Sequence, residues 1–194
     1  MKIYINVAVL SFAMLVSLIN AQAGEEMSVH ILGTTNVNGE TDPCGWKKKP
    51  LGGLARKATI IDELVSANNQ VAIVDAGNLF FKKDQLSPGV TTEIASVTAD
   101  IILAAFNEIG CDAFSPGSQD FALGLDFLLK MEKNANFPFV SANIKSATTG
   151  IHLFRPYQVV SKGGVSLGFI GLASQFTHPD LLIDDPIQAL KGII

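Results

Sequence analysis

The chain is 194 residues long, with 14 Lys and Arg against 18 Asp and Glu, a formal net charge of −4, and 48% hydrophobic residues. Such mild acidity excludes a nucleic-acid polymer as partner, because that binding needs a basic footprint. The length suits one domain with a sizeable core, and two cysteines are too few for a disulfide framework.

The N-terminus reads as a signal peptide over residues 1–23. Lys2 supplies the positive start, residues 3–19 are apolar with few interruptions, and Ala21-Gln22-Ala23 is a small-x-small cleavage site. The apolar run is short against the roughly 20 residues of a spanning helix, which favours cleavage over a retained anchor. The expected mature chain starts near Gly24 and loses only Lys2 among its charges. It has no stable membrane span and resides in the periplasm or outside the cell.

Strands and helices then alternate. Residues 28–32 and 70–75 are short apolar runs of strand length. Residues 53–67 place Leu54, Ala58, Ile61, Leu64 and Val65 at helical spacing. A second helix is predicted over residues 91–109, with Ile94, Val97, Ile101, Ile102, Ala105 and Phe106 as its apolar stripe. A third covers residues 123–132, with Phe127 and Leu128 inward. Val140 and its neighbours form another strand. Residues 157–161 and 165–172 flank the turn Lys162-Gly163-Gly164 and read as a hairpin. Asp185-Pro186-Ile187 starts a last helix.

This alternation predicts an α/β layered fold, in which sites form beyond the carboxyl ends of strands. Asn36, Asn38, Asn78 and Ser118 all fall at such ends.

Those same positions carry a resemblance. Residues 31–39 read Ile-Leu-Gly-Thr-Thr-Asn-Val-Asn-Gly. Further on stand Gly52-Gly53-Leu54-Ala55-Arg56, Val74-Asp75-Ala76-Gly77-Asn78, Gly117-Ser118-Gln119-Asp120-Phe121, Ser141-Ala142-Asn143-Ile144 and Gly168-Phe169-Ile170-Gly171-Leu172. In order and spacing they resemble the 5'-nucleotidase-like branch of the calcineurin-like metallophosphoesterases. The resemblance implies a layered metallophosphoesterase-like sandwich, here C-terminally incomplete, with residues 24–194 as the N-terminal part of the domain and an unfilled sheet edge. It also implies two divalent metal ions (Mn, Zn or Fe) and a nucleotide or other phosphoester as substrate. The family's metal ligands are Asp and His where this chain has Asn36 and Asn38, Asp where it has Asn78, and Asn where it has Ser118. Gln119 stands where a His assists the leaving group.

A narrower resemblance is to a bacterial exported group of 5'-nucleotidase-like (seleno)proteins. It rests on Asp42-Pro43-Cys44-Gly45-Trp46-Lys47 and Asp120-Phe121-Ala122-Leu123-Gly124. Trp46 occupies the place of that group's second Cys or selenocysteine.

A two-metal phosphoesterase clamps the attacking and leaving oxygens between its ions, and hard cations prefer carboxylates to amides alone. Replacing several ligands together should abolish tight two-metal binding. Asp120 is the leading substitute ligand, with Gln119 beside it as the other catalytic candidate. Asp75 reads as a structural strand-end acid and Asp112 as a turn or cap residue. His30 reads as packed in its strand, and His152 and His178 as surface residues without ligand spacing. Cys111 reads as buried and Cys44 as exposed and free. Three lysines, Lys47 to Lys49, would favour the Cys44 thiolate if close.

Three readings stay open: a phosphoesterase-fold protein with weak or lost hydrolysis, a thiol or selenol redox or soft-metal protein using Cys44, and a non-catalytic module binding an anion or partner.

Overall fold

The computed structural model describes residues 28–43, 45, 51–67 and 70–194. The expected signal peptide, Cys44, Trp46 and the lysine run lie outside the described residues.

Three parallel strands form the first layer: β1 (His30–Thr34), β2 (Val71–Asp75) and β3 (Ala113–Phe114), in that order. Thr34 lies opposite Asp75, and Asp75 opposite Phe114, so the strands end level with one another. Parallel neighbours need crossovers. Helix α1 (Leu54–Ala67) links β1 to β2, and α2 (Thr92–Ile109) links β2 to β3. Bridges from Phe114 to Phe139 and from Val140 to Arg155 carry the parallel pairing beyond β3. This is where a strand around Val140 was expected. Among the described residues β1 pairs only with β2, leaving its other edge open.

β2 reads Val-Ala-Ile-Val-Asp and is covered on both faces, as its unbroken apolar run requires. Helix α2 begins where the Thr91 hydroxyl accepts the Ile94 N–H (3.3 Å) and ends at Gly110 in the left-handed region. A side-chain cap of this kind is worth about 1 kcal/mol. Its inward face is Ala95, Ala99, Ile102, Leu103, Phe106 and Ile109. The expected stripe is corrected at Ile94, Val97 and Ile101, which are 56%, 58% and 51% exposed. The helix is apolar nearly all round, so periodicity alone could not pick a face. Tertiary packing decides it: Ala95 and Ala99 join the core cluster with Leu79, Phe80 and Phe114.

A 3-10 turn at Ser118–Phe121 follows β3, then α3 (Leu125–Asn134). Leu128 is fully buried, and Phe127 rests on Phe81 with ring centroids 5.9 Å apart. Two short strands escaped the sequence reading: β4 (Ile144–Ser146) pairs antiparallel with β7 (Leu181–Ile183). Between them, β5 (Tyr157–Lys162) and β6 (Val165–Ile170) form the expected antiparallel hairpin. Gly163 and Gly164 both have positive φ, 56° and 79°, as a type I′ turn demands. Helix α4 (Pro186–Lys191) starts as expected, with Asp185 capping Gln188 N–H at 2.8 Å.

The core centres on aromatic rings from separate segments. Phe80, Phe106, Phe114 and Phe139 are each at most 1% exposed. Phe114 and Phe139 meet edge-to-face at 4.7 Å, a geometry worth about 0.5–1.5 kcal/mol beyond area burial. Phe80 directly follows the loop after β2, so this core anchors the segment that carries Asn78.

Candidate functional site

The site grows from the continuation of the β1–β2 ladder past the strand ends. Ala76 N–H donates to Thr34 O (2.8 Å), Asn36 N–H to Gly77 O (2.9 Å), Asn38 N–H to Asn78 O (2.8 Å) and Gly39 N–H to Leu79 O (3.1 Å). The two loops therefore run side by side. Asn36, Asn38 and Asn78 all take left-handed backbone, with φ of 54°, 57° and 54°. Asn is among the few non-glycine residues that visit this region readily, so local conformation itself favours Asn at all three positions.

Gly77 sits at φ 95°, and a Cβ there would stand 2.6 Å from Gly117 N and 2.7 Å from Ser115 O. This close approach brings the loop after β3 against the loop after β2. A Cβ on Gly117 would in turn strike the Asn78 side chain.

The side chains then converge. Asn78 Nδ2 donates to Asn36 Oδ1 at 2.8 Å. The Gln119 backbone N–H donates to Asn78 Oδ1 at 3.3 Å. With its amide oriented to meet acceptors, Gln119 Nε2 lies 2.9 Å from Asn38 Oδ1, 2.8 Å from Phe81 O and 3.1 Å from Lys82 O. Asn36, Asn38, Asn78 and Gln119 thus form one continuous amide chain, with half-buried Ser118 beside Gln119. A cleft of about 230 Å³ opens next to it, lined by Asn38, Glu40, Phe81, Lys82 and Lys83 among others. Lys82 and Glu40 pair at 3.0 Å on its exposed rim.

Asp120 lies beneath this cluster, 0% exposed. Its Oδ1 accepts N–H groups from Leu79 (2.7 Å) and Phe80 (2.9 Å), and its Oδ2 accepts those of Asn78 and Gly117 (both 2.8 Å). Both oxygens are committed to fastening the loops after β2 and β3 together. Burial pushes its pKa up to about 6, against the downward pull of the four N–H groups.

Asp75 is the expected strand-end acid, 2% exposed. It accepts from the Thr34 hydroxyl at 2.6 Å and from Gly77 N–H at 2.9 Å. Lys57 Nζ donates to Thr34 Oγ1 at 2.9 Å and lies 3.8 Å from the Phe106 ring centroid. Burial raises the Asp75 pKa and lowers that of Lys57, while their mutual attraction opposes both shifts. The sequence reading missed Thr34 and Lys57, since nothing local marks a Lys on α1 as reaching β1. It also missed what Asn143 does. That fully buried amide holds Ala173 N–H and O at 2.8 Å each, and Asp184 O at 3.0 Å.

The other expected residues lie apart from the cluster. Asp112 was read as a turn or cap residue. It instead ties distant elements together, accepting Ile73 N–H at 2.9 Å and pairing with Lys162 at 3.0 Å. His30 is exposed rather than packed, because it sits on β1 at the open edge of the sheet. His178 lies tilted against Phe121, ring centroids 5.6 Å apart. Cys111 is buried as expected, and burial pushes its thiol up to about 12, which makes it inert. Among the described residues, no three His, Cys, Asp or Glu side chains are grouped to hold a metal ion.

No protein-family model matches the chain. The 5'-nucleotidase of Vibrio vulnificus is 32% identical over 150 residues, which cover 73% of this chain and 26% of that protein. Protein UshA of Salmonella pullorum is 34% identical over 150 residues, with the same coverage, 73% and 26%. The chain spans about a quarter of the length of these curated relatives. Among solved structures, a 5'-nucleotidase precursor from Thermus thermophilus superposes with a TM-score of 0.71 at 24% identity, covering 85% of this chain and 33% of that one. That likeness carries the fold, and the sequence matches carry the branch within it. The chain belongs to the 5'-nucleotidase-like branch of the calcineurin-like metallophosphoesterases.

Proposed function

We propose that this chain is an exported 5'-nucleotidase-like protein, of the (seleno)protein-like group, that binds a nucleotide or related phosphoester and has weak or no two-metal hydrolysis. Export is supported by the apolar N-terminal segment and its Ala21-Gln22-Ala23 site. Among the described residues no helix is long and apolar enough to cross a membrane. Phosphoester binding is supported by the branch and by the cleft that joins Asn38 to Lys82 and Lys83.

One observation carries the loss of hydrolysis. The fold assembles Asn36, Asn38, Asn78 and Gln119 at the strand ends, and every one is a neutral amide. Two divalent cations a few ångströms apart need anionic ligands to offset their repulsion. The buried acids at these strand ends, Asp75 and Asp120, already accept hydrogen bonds on both oxygens, and Glu40 on the cleft rim is paired with Lys82. This donor set does not suit a metal pair, and no hydrolytic step is assigned through one.

The test is turnover of nucleoside monophosphates by the purified protein with manganese, zinc or iron, alongside binding measured by thermal shift. Stabilisation by nucleotide without turnover is the expected result. Robust metal-dependent release of phosphate would overturn the proposal.

A further inference from the structure

We infer that the amide chain Asn36–Asn78–Gln119–Asn38 does the structural work of a metal pair, cross-linking three strand-end loops by hydrogen bonds. This rests on the proposed loss of two-metal hydrolysis and goes beyond it, because a site that has merely decayed need not hold itself together.

The backbone poses a fixed problem. The loops after β1 and β2 are held in register by their N–H and C=O groups, which places the side chains at positions 36 and 78 within 2.8 Å of each other. Two carboxylates at that distance repel unless a cation stands between them or they share a proton. An amide pair solves the same geometry with no ion, because Asn78 Nδ2 donates where Asn36 Oδ1 accepts. One side chain has to be a donor, and Asp cannot supply one when ionised.

The pattern then propagates. Asn78 spends its oxygen on Gln119 N–H, and Gln119 spends its nitrogen on Asn38 Oδ1 and on two backbone carbonyls. Each link joins a different pair of loops: residue 36 to 78, 78 to 119, and 119 to 38. Donors and acceptors alternate along the chain, so the members support one another as a network. Asn at 36, 38 and 78 also satisfies the left-handed backbone there. The set is self-consistent without any bound ion.

The test uses the full chain and reads thermal midpoints in EDTA and in excess manganese. Wild type is expected to melt at the same temperature in both, within about 1 °C, since a ligand that does not bind gives no mass-action shift. The variant Asn36→Asp/Asn78→Asp is expected to melt about 5 °C lower or more in EDTA, a loss that about 2 kcal/mol produces in a chain of this size. Adding manganese should recover part of that loss.

A second measurement uses Asn36→Ala, Asn78→Ala and the double variant. The double should lose about as much as the larger single loss, because both remove the same link. Additive losses, or an Asp pair as stable as wild type in EDTA, would overturn the clasp while leaving the proposed loss of hydrolysis standing. Strong manganese stabilisation of wild type would overturn both.

Discussion

Replacing Gly77 with alanine tests how the site is assembled. Two costs arise at that position. The first is backbone: φ is 95°, and a residue with a Cβ in left-handed space loses about 1–2 kcal/mol. The second is steric. The new Cβ would meet Gly117 N at 2.6 Å and Ser115 O at 2.7 Å, both backbone atoms that cannot rotate away. Overpacking of this kind costs about 1–3 kcal/mol more. Relief requires the loops after β2 and β3 to part, and Asp120 and Gln119 bridge the same gap.

The total is about 2–5 kcal/mol, a large part of the roughly 5–15 kcal/mol that holds a domain together. Gly110→Ala is the matched control. Its φ is 78°, but nothing lies within 4 Å of the point its methyl group would occupy. It should therefore lose only the backbone part, about 1–2 kcal/mol. Urea unfolding of wild type and the two variants gives both values. Equal losses at the two glycines would refute the close approach on which the site geometry depends.

Other consequences follow from the buried acids and their partners. Asp120→Ala leaves four backbone N–H groups without acceptors, at about 1–3 kcal/mol each, so little folded protein should be recovered; a near-native melt would contradict the role of Asp120 as a fastener. Because burial lifts the Asp120 pKa to about 6 in the folded state, the native form takes up its proton before the unfolded chain does. Its contribution to stability is therefore full below the unfolded carboxylate value near 4 and is lost as pH rises through about 6. Urea midpoints at stepped pH should decline across that window in wild type, and the decline should shrink in Asp120→Asn. Lys162→Ala removes a partly exposed ion pair with Asp112 and should cost under about 1 kcal/mol, whereas Asp112→Ala also orphans Ile73 N–H and should cost more; the opposite ranking would show that Asp112 acts mainly through Lys162. Thr34→Val breaks the hydroxyl link between Lys57 and Asp75 and should destabilise by about 1–3 kcal/mol, as befits buried polar groups left unpaired; an unchanged urea midpoint would show that the link carries no stability.

The sequence by itself determined the alternation of strands and helices, because apolar runs of strand length and 3.6-residue periodicity are local properties. The glycine-rich hairpin at residues 162–165 and the Asp185-Pro186 helix start are local in the same sense. Strand-end logic also marks Asn36, Asn38, Asn78 and Ser118, since each follows an apolar run that ends in a turn. The tertiary structure decided which face of α2 turns inward, since a helix apolar nearly all round offers no periodic answer and packing into the core around Phe80 and Phe114 supplies one. It decided that Asp120 binds backbone N–H groups of the loop after β2, a role set by contacts 40 or more residues distant in sequence. It also decided that the amides at 36, 38, 78 and 119 bond to one another, because which donor meets which acceptor depends on how separate loops are brought side by side.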